Sequence, residues 1–149
     1  MPQLAFNTPM GPLAIAEEDG RIVSVDWGWP ARSEETPLLC RARDQLDLYF
    51  TGDSAGFDLP LDPPGTAFQR RVWQDMVRIP FGTVRTYGDL AAALGTSPRA
   101  IGLACGRNPL PILIPCHRVI AAGGHIGGYS GLEGVSTKRY LLNLEGIYL

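Results

Sequence analysis

The chain has 149 residues, of which 45% are hydrophobic and 19% are charged, so it can bury one domain core or two small ones. This composition excludes a disordered chain, and its short apolar runs and lack of a basic, apolar leader predict a cytoplasmic protein without a membrane span. The net charge of −2 speaks by itself against a polyanionic partner.

The first part of the chain predicts a small sheet followed by one helix. Short apolar stretches continue to Trp27, and Asp19-Gly20 is a typical hairpin turn between two of them. A helix is predicted after Thr36, a good N-cap before Pro37, with apolar residues every three or four positions up to Phe50. No set of side chains with catalytic chemistry occurs in this region.

The segment 58–68 holds three prolines and a glycine, which predicts a boundary between domains at 1–62 and 66–149. The charge divides at the same place. Residues 1–65 hold 4 Lys and Arg against 11 Asp and Glu, a balance of −7, whereas residues 66–149 hold 9 against 4, a balance of +5. Either the basic half alone meets a polyanion, or the charge is solvated and has no partner.

The second part of the chain predicts mostly helices. One runs from its cap Thr66 to about Arg78, and another follows Ser136 or Thr137 as cap and ends before Gly146. The apolar stripe of the last helix is predicted at Tyr140, Leu141 and Leu144. Core positions are predicted for Phe68 and Trp73, and a loop position for His125.

Two short helices are predicted between these. Thr86 begins the first, where Asp89 makes a weak capping box and Gly95 a stop, and Ser97 with Pro98 begins the second. The inward positions of the second helix are predicted at Ile101, Ala104 and Cys105.

Two helices with a tight turn between them are typical of a helix-turn-helix element. In that element the second helix enters a groove of DNA with its N-terminal end, which is where Arg99 lies. Such pairs also occur as plain packing units, so both interpretations stay open. The whole predicts an α+β fold: a small N-terminal sheet-plus-helix domain, then a mostly helical domain with a winged helix-turn-helix-like element.

Three cysteines are too few, and odd in number, for a disulfide framework, which indicates reduced thiols. Two histidines and no CxxC pair make a metal site unexpected. We predict Cys40 and Cys105 as small buried apolar residues.

Cys116 lies between a proline and a histidine in the stretch NPLPILIPCHRVI, directly after an apolar run. A thiol attacks only as thiolate, and a free one with a pKa of about 8.5 stays protonated unless a base or positive charge lies beside it. His117 could draw the proton directly or through one water, and Glu145 is the carboxylate best placed to orient it. A buried structural cysteine beside a surface His-Arg pair explains the tripeptide equally well.

The stretch IPCHRVI, with FQRRVWQDMVRIPFGTVRTYGDLAAALG, SPRAIGLACGRNPLPIL and GGYSG, resembles the methylated-DNA–protein-cysteine methyltransferases, also called O6-alkylguanine-DNA alkyltransferases. The resemblance covers residues 66–146, and residues 1–65 resemble a shortened form of that family's N-terminal domain. It implies direct-reversal DNA repair, in which an alkyl group of O6-alkylguanine, with O4-alkylthymine as a further candidate, passes irreversibly to Cys116. It also implies a monomer that binds double-stranded DNA containing alkylated guanine and needs no cofactor, because the lesion is the donor.

The same resemblance implies roles for individual residues. Cys116 matches the nucleophile, His117 the group that takes its proton through a water, and Glu145 the carboxylate that orients the histidine. Tyr87 matches the donor to the leaving base, and Arg99 the finger that fills the gap left by a flipped base. The remaining matches are Ala100, Gly102 and Thr86 toward DNA; Val119, Tyr129, Ser130 and Gly131 around the pocket; and Asn108, Pro115 and Arg118 as active-site support.

The chain departs from many family members between Tyr129 and Lys138, where YSGLEGVSTK is about two residues longer. The lip of the pocket, the role of Lys138 and the accepted size of alkyl group therefore stay open. Two other functions also stay open: a lesion-binding or regulatory protein without transfer, and a cysteine hydrolase. The retained Cys116 argues against the first, and Arg99 on a DNA-type helix argues against the second.

Overall fold

Three antiparallel strands begin the chain in the computed structural model, which describes residues 1–149. They are β1 (Gln3–Thr8), β2 (Gly11–Glu18) and β3 (Arg21–Trp27), in the order β1-β2-β3. Asp19 and Gly20 have φ values of 52° and 74°, the positive values that a two-residue hairpin turn of type I′ requires. The predicted hairpin is therefore confirmed.

Helix α1 (Pro37–Phe50) packs on β1 and β2 and closes the core of this first unit, Met1–Pro64. Thr36 is its N-cap, and the Thr36 side chain accepts a hydrogen bond from the Leu39 N–H at 3.1 Å. The apolar stripe of α1 supplies the buried residues Leu39, Ala42, Leu46, Tyr49 and Phe50. The sheet-plus-helix prediction for this region is confirmed.

The second unit, Gly65–Leu149, is mostly helical. Its helices are α2 (Ala67–Val77), α3 (Tyr87–Leu94), α4 (Pro98–Gly106) and α5 (Val135–Leu144), with short 3-10 turns at Cys116–Arg118 and Ala122–Gly124. Two short strands, β4 (Arg85–Thr86) and β5 (Val119–Ile120), pair in parallel. Sheet and helices together confirm the α+β class.

The starts of α2 and α3 follow their capping signals. Thr66 and Gln69 form a complete capping box at α2, and Thr86 and Asp89 form another at α3. Helix α3 ends at Gly95, whose φ of 67° is the left-handed conformation of a helix C-cap. Helices α3 and α4 pack against each other, and that this pair binds DNA stays a prediction.

Helix α5 begins earlier than its hydroxyl residues predict. Its N-cap is Gly134, with φ 65° and ψ −128°, so Ser136 and Thr137 lie inside the first turn rather than capping it. Thr137 instead accepts the Glu133 N–H at 3.0 Å. The prediction of Tyr140 in the apolar stripe is also wrong, because that side chain is exposed while Leu141 and Leu142 are buried.

The core of the second unit forms around the buried Trp73 of α2, whose indole N–H donates to the Ala104 carbonyl of α4 at 2.9 Å. Phe68 is only half-buried, and His125 lies exposed in a loop. Cys105 is half-buried, and so is Cys40, so neither is the fully buried apolar residue predicted. None of the helices has the length and apolar character to cross a membrane.

Between α4 and the 3-10 turn, residues 107–115 run through the core without regular structure. Ile112 is fully buried there with a φ of 74°, a conformation that costs a β-branched residue about 1–3 kcal/mol. The hydrogen bond from the Ile114 N–H to the Leu110 carbonyl, 2.8 Å, holds this turn closed. The turn delivers the chain to Pro115 and fixes where the next residue, Cys116, begins.

Candidate active site

Cys116 is the first residue of the 3-10 turn and is 6% exposed. The side-chain amide of Asn108 donates to its Sγ at 3.2 Å and to the Ile114 carbonyl at 2.8 Å. The side-chain oxygen Oδ1 of Asn108 accepts the Leu110 N–H at 2.9 Å. A single amide thus joins the end of α4, the buried turn and the sulfur.

A cavity of about 540 Å³ opens over Cys116. Its size falls in the range of small-molecule binding sites. Helices α3 and α4 supply most of one side, and the loop before α5 supplies the other. The lining residues are Tyr87, Pro98, Arg99, Gly102, Cys105, Gly106, Cys116, Gly128, Tyr129 and Ser130.

Glu145 is the centre of a buried ion cluster next to the 3-10 turn. One carboxylate oxygen lies 2.6 Å from His117 Nε2, and Arg118 donates to both oxygens, at 2.8 and 3.1 Å. The Gly82 N–H donates to the same carboxylate at 3.0 Å, and Arg118 also donates to the Ile79 carbonyl at 2.6 Å. Buried charges need this degree of pairing, and here the paired charges also fix the imidazole.

His117 is held as a neutral imidazole. Its complete burial lowers its pKa, the carboxylate of Glu145 acts in the opposite direction, and the positive charges of Arg118 and Lys138 lower it further. With Nε2–H donated to Glu145, Nδ1 is the ring nitrogen that carries the lone pair and can accept a proton. The cluster therefore gives the site a base rather than a fixed cation.

Lys138 of α5 is fully buried beside the cavity. Its ammonium donates to the carbonyls of Val119, 2.6 Å, and Gly128, 3.0 Å, and lies 3.4 Å from the Tyr87 hydroxyl. Burial lowers the pKa of Lys138 to about 8, and burial raises the pKa of Tyr87 to about 12. The site therefore holds a protonated phenol with a lysine at its hydroxyl, and this phenol lines the same cavity as the thiol.

Opposing influences act on Cys116. Burial raises the pKa of its thiol, while the Asn108 hydrogen bond, the charge of Lys138 and the N–H groups of Cys116 and His117 act to lower it. Because its pKa is raised, Cys116 is a thiol in the resting protein. The Asn108 amide, the charge of Lys138 and the two backbone N–H groups stabilise the negative charge that sulfur carries as a thiolate. This arrangement suits a nucleophile that is deprotonated only as it reacts.

Two family models match the chain. Residues 67–147 match the DNA-binding domain of 6-O-methylguanine DNA methyltransferase, and residues 4–63 match the ribonuclease-like domain of the same family. A constitutive methylated-DNA–protein-cysteine methyltransferase of Bacillus subtilis is 45% identical over 154 residues, covering 95% of this chain and 93% of the relative. The chain belongs to the methylated-DNA–protein-cysteine methyltransferase family.

Solved structures agree with this membership. The crystal structure of Mycobacterium tuberculosis OGT in complex with DNA is 38% identical in sequence and has a TM-score of 0.87. The match covers 97% of this chain and 92% of the OGT chain. An O6-methylguanine DNA methyltransferase from Methanococcus jannaschii is 30% identical with a TM-score of 0.69. Both likenesses span nearly the whole chain, so they extend over both units.

The predicted site residues of this family member fall into three groups. Around the sulfur lie Tyr87, Asn108 and Tyr129, whereas His117, Arg118 and Glu145 form the buried cluster. Arg99, Gly102 and Ser130 line the cavity with them, and Pro115 precedes the 3-10 turn. Val119, Gly131, Ala100 and Thr86 are not among the lining residues.

Glu145 lies one residue beyond the end of α5, where it is the C-cap, rather than within the helix as predicted. The Tyr129 hydroxyl is buried without a hydrogen-bond partner, and burial raises the pKa of this phenol. Gly127 lies so close to Tyr87 that a Cβ there would be 3.1 Å from the ring, which explains a glycine at this position. No three His, Cys, Asp or Glu side chains come together as a metal ion needs.

Sequence reasoning missed several participants. The sequence does not predict a role for Lys138, although its position seven residues before Glu145, about two helical turns, indicates that both lie on the same side of the last helix. The contributions of the Gly82 N–H and the Ile79 carbonyl had no signal, because backbone groups leave none in a sequence. Cys105 lies seven residues after Pro98 and three after Gly102, and these spacings place it on the same side of α4 as those two lining residues.

Proposed function

We propose that this chain repairs DNA by direct reversal, moving an alkyl group from O6 of guanine to Cys116 in a reaction that each molecule performs once. The observation that carries the proposal is a buried thiol at a cavity with a neutral histidine, a carboxylate and a phenol around it. Family membership and the likeness to a relative crystallised with DNA support DNA as the partner.

The reaction begins with loss of the thiol proton. His117 takes it, through a bridging water, and Glu145 balances the imidazolium that forms. Arg118 keeps the carboxylate in place through two hydrogen bonds. The thiolate then attacks the alkyl carbon, so that the sulfur–carbon bond forms as the bond between carbon and guanine O6 breaks.

The departing guanine takes the electron pair of the broken bond. Tyr87, protonated because its pKa is raised to about 12, donates its hydrogen to the base, and Lys138 at 3.4 Å stabilises the phenolate-like oxygen. Asn108 holds the sulfur in line throughout. Nothing in the site removes an alkyl group from a thioether, which is a stable bond, so the acceptor is used once.

The lesion must reach the cavity from outside the base stack, which requires that the nucleotide be flipped. We assign Arg99, exposed at the mouth of the cavity, to the gap left in the duplex. Ala100 and Gly102 give α4 a low-profile face for close approach to a groove, and Thr86 is assigned to the DNA backbone.

We assign the chemistry and the DNA contact to residues 66–149, and we assign no role to the separate N-terminal α/β domain at residues 1–62. The alkyl donor is the lesion itself, so the proposed reaction uses no cofactor. Three free cysteines accord with the reducing conditions of the cytoplasm, and we propose that the protein acts there as a monomer.

The test is the mass of the intact protein after incubation with a duplex containing O6-methylguanine. We expect the gain of one methyl group, located by peptide mapping on Cys116 and on neither Cys40 nor Cys105. Cys116→Ser should gain nothing. Binding of the duplex without any gain in mass would instead support a lesion-binding protein, and repeated turnover of an ester would support a hydrolase.

A further inference from the structure

The loop between Tyr129 and α5 forms a closed turn at the edge of the cavity. Tyr129 and Ser130 line the cavity. The Gly131 carbonyl then accepts the Gly134 N–H at 2.7 Å, and a Cβ on Gly134 would lie 3.5 Å from the Tyr129 carbonyl oxygen. The chain therefore doubles back on itself, and Leu132 lies at the tip of the turn.

Leu132 is an unfavourable residue for this position. Its φ is 35°, in the left-handed region that glycine and asparagine adopt more readily than leucine. Its side chain is also 50% exposed, so a leucine gains little here from burial within the protein. Folding alone does not account for this residue, and strained positions of this kind cluster where proteins contact ligands.

The turn is held in place by hydrogen bonds at both ends. The Glu133 N–H donates to the hydroxyl of the buried Thr137 at 3.0 Å, and the Lys138 N–H donates to the Gly134 carbonyl at 3.1 Å. The Lys138 ammonium also donates to the Gly128 carbonyl at 3.0 Å, just before the loop. Leu132 is therefore presented by a fixed turn, which lowers the entropy cost of a contact made through it.

The charges near the cavity indicate what Leu132 can contact. On α4 the exposed Arg99 supplies a cation suited to a polyanion. The neighbour of Leu132 in the loop is instead the exposed carboxylate of Glu133, which repels phosphates. An apolar side chain beside an anion fits base faces rather than phosphates, and a nucleotide that leaves the stack uncovers the faces of its neighbours.

We infer that Leu132 is a DNA-binding residue that packs against the base pair next to the flipped nucleotide. The inference rests on the proposed transfer from duplex DNA to Cys116. Arg99 then fills the gap from α4, and Leu132 covers the neighbouring bases from the loop. Leu132 contacts the duplex and not the reacting atoms, so it contributes to capture of the lesion and not to the transfer step.

The experiment measures single-turnover methyl transfer at increasing concentrations of a duplex that contains O6-methylguanine, and separately with O6-methylguanine as the free base. Leu132→Asn keeps a branched side chain of similar size and suits a positive φ. We expect the duplex concentration at half-maximal rate to rise by roughly tenfold, because the apolar contact is lost. The rate with the free base should not change.

The thermal stability of Leu132→Asn supplies a second readout. Its Tm should rise, because asparagine adopts this backbone conformation more readily than leucine. A gain in Tm together with weaker duplex capture identifies a residue kept for binding. Weaker capture together with a lower Tm would make Leu132 a structural residue and would overturn the inference.

Two further variants serve as controls. Leu132→Met keeps an apolar side chain and should retain duplex capture within about threefold of wild type. Leu48→Asn makes the matched change at a leucine of α1 that is 54% exposed, and it should leave capture unchanged.

Three results would contradict the assignment of Leu132 while leaving the proposed function standing, provided that wild-type protein gains a methyl group on Cys116. The first is wild-type capture by Leu132→Asn, and the second is an equal loss of rate with duplex and free base. The third is a loss in Leu132→Met as large as that in Leu132→Asn. Absence of methyl gain in the wild-type protein overturns the proposed function and this inference together.

Discussion

The two sides of Cys116 are built in opposite ways. On one side His117, Arg118 and Glu145 are fully packed, and every carboxylate oxygen is paired. On the other, α4 presents glycines and a small thiol to an open cavity. The proton-handling side therefore has a fixed geometry, whereas the substrate-facing side is open because α4 carries only small side chains there.

The largest effect is expected from breaking the packed side. Glu145→Gln leaves the buried Arg118 guanidinium without a counter-charge, which should lower the free energy of unfolding by about 3–5 kcal/mol. Urea unfolding followed by tryptophan fluorescence measures this. Glu133→Gln, which changes an exposed loop carboxylate, is the control and should shift stability by less than about 0.5 kcal/mol. Equal midpoints for the two variants would contradict the cluster's structural role.

Lys138 lies between the packed side and the open cavity, where its ammonium contacts both the Val119 carbonyl and the Tyr87 hydroxyl. Lys138→Met removes the positive charge that lowers the pKa of Cys116, so the thiol should react with iodoacetamide roughly tenfold more slowly at neutral pH. Peptide mapping follows the modification of Cys116 alone. The neighbouring Arg139→Met alters an exposed charge and should leave the rate unchanged. A faster thiol in Lys138→Met is the result that the structure rules out.

The packed side should also respond to pH through His117. Its folded pKa lies below the ordinary value of 6.5, so the unfolded chain binds the proton more readily. The free energy of unfolding should therefore fall as the pH drops below about 6.5, and His117→Gln should remove this part of the slope. His125→Gln, which replaces the exposed histidine, should retain it. Denaturation at several pH values distinguishes the two variants.

The smallest effect is expected on the open side. Gly106→Ala adds a methyl group where no atom lies within 4 Å and φ is negative, and it reduces the freedom of the unfolded chain. It should raise the free energy of unfolding by about 0.5 kcal/mol, seen as a small increase in Tm. A loss of stability would mean that this wall is already filled, and the contrast with Glu145→Gln would disappear.

Local signals in the sequence were sufficient for most of the fold. The Asp19-Gly20 turn and the caps Thr66 and Thr86 were predicted, because each depends only on residues a few positions away. The start of α5 was not, because Gly134 adopts an unusual conformation that composition does not reveal, and the hydroxyls that follow it give a stronger capping signal. Turn and capping signals between nearby residues can be recognised in a sequence, whereas an unusual backbone conformation such as that of Gly134 cannot.

The sequence predicts the site residues that belong to a motif, but it does not predict the contacts that depend on burial and tertiary structure. Cys116 and His117 follow from one stretch, and Glu145 is predicted from the few carboxylates of this half as the one best placed to orient the histidine, a role that the family resemblance also implies. Arg118 donating to Glu145, 27 residues away, depends on tertiary structure that spacing does not supply. Lysine side chains are almost never fully buried, so the sequence predicts an exposed Lys138, whereas the structure buries it completely.

The raised pKa and near-complete burial of Cys116 bear on how long such a molecule stays competent. An acceptor that reacts once is lost if a stray electrophile or oxidant reaches it first. A resting thiol is a weak nucleophile toward those agents, and its proton leaves only toward the histidine within the site. Keeping Cys116 protonated until a substrate is bound therefore preserves the reactive protein. The number of reactive copies then falls with the number of lesions repaired and not with side reactions of the thiol.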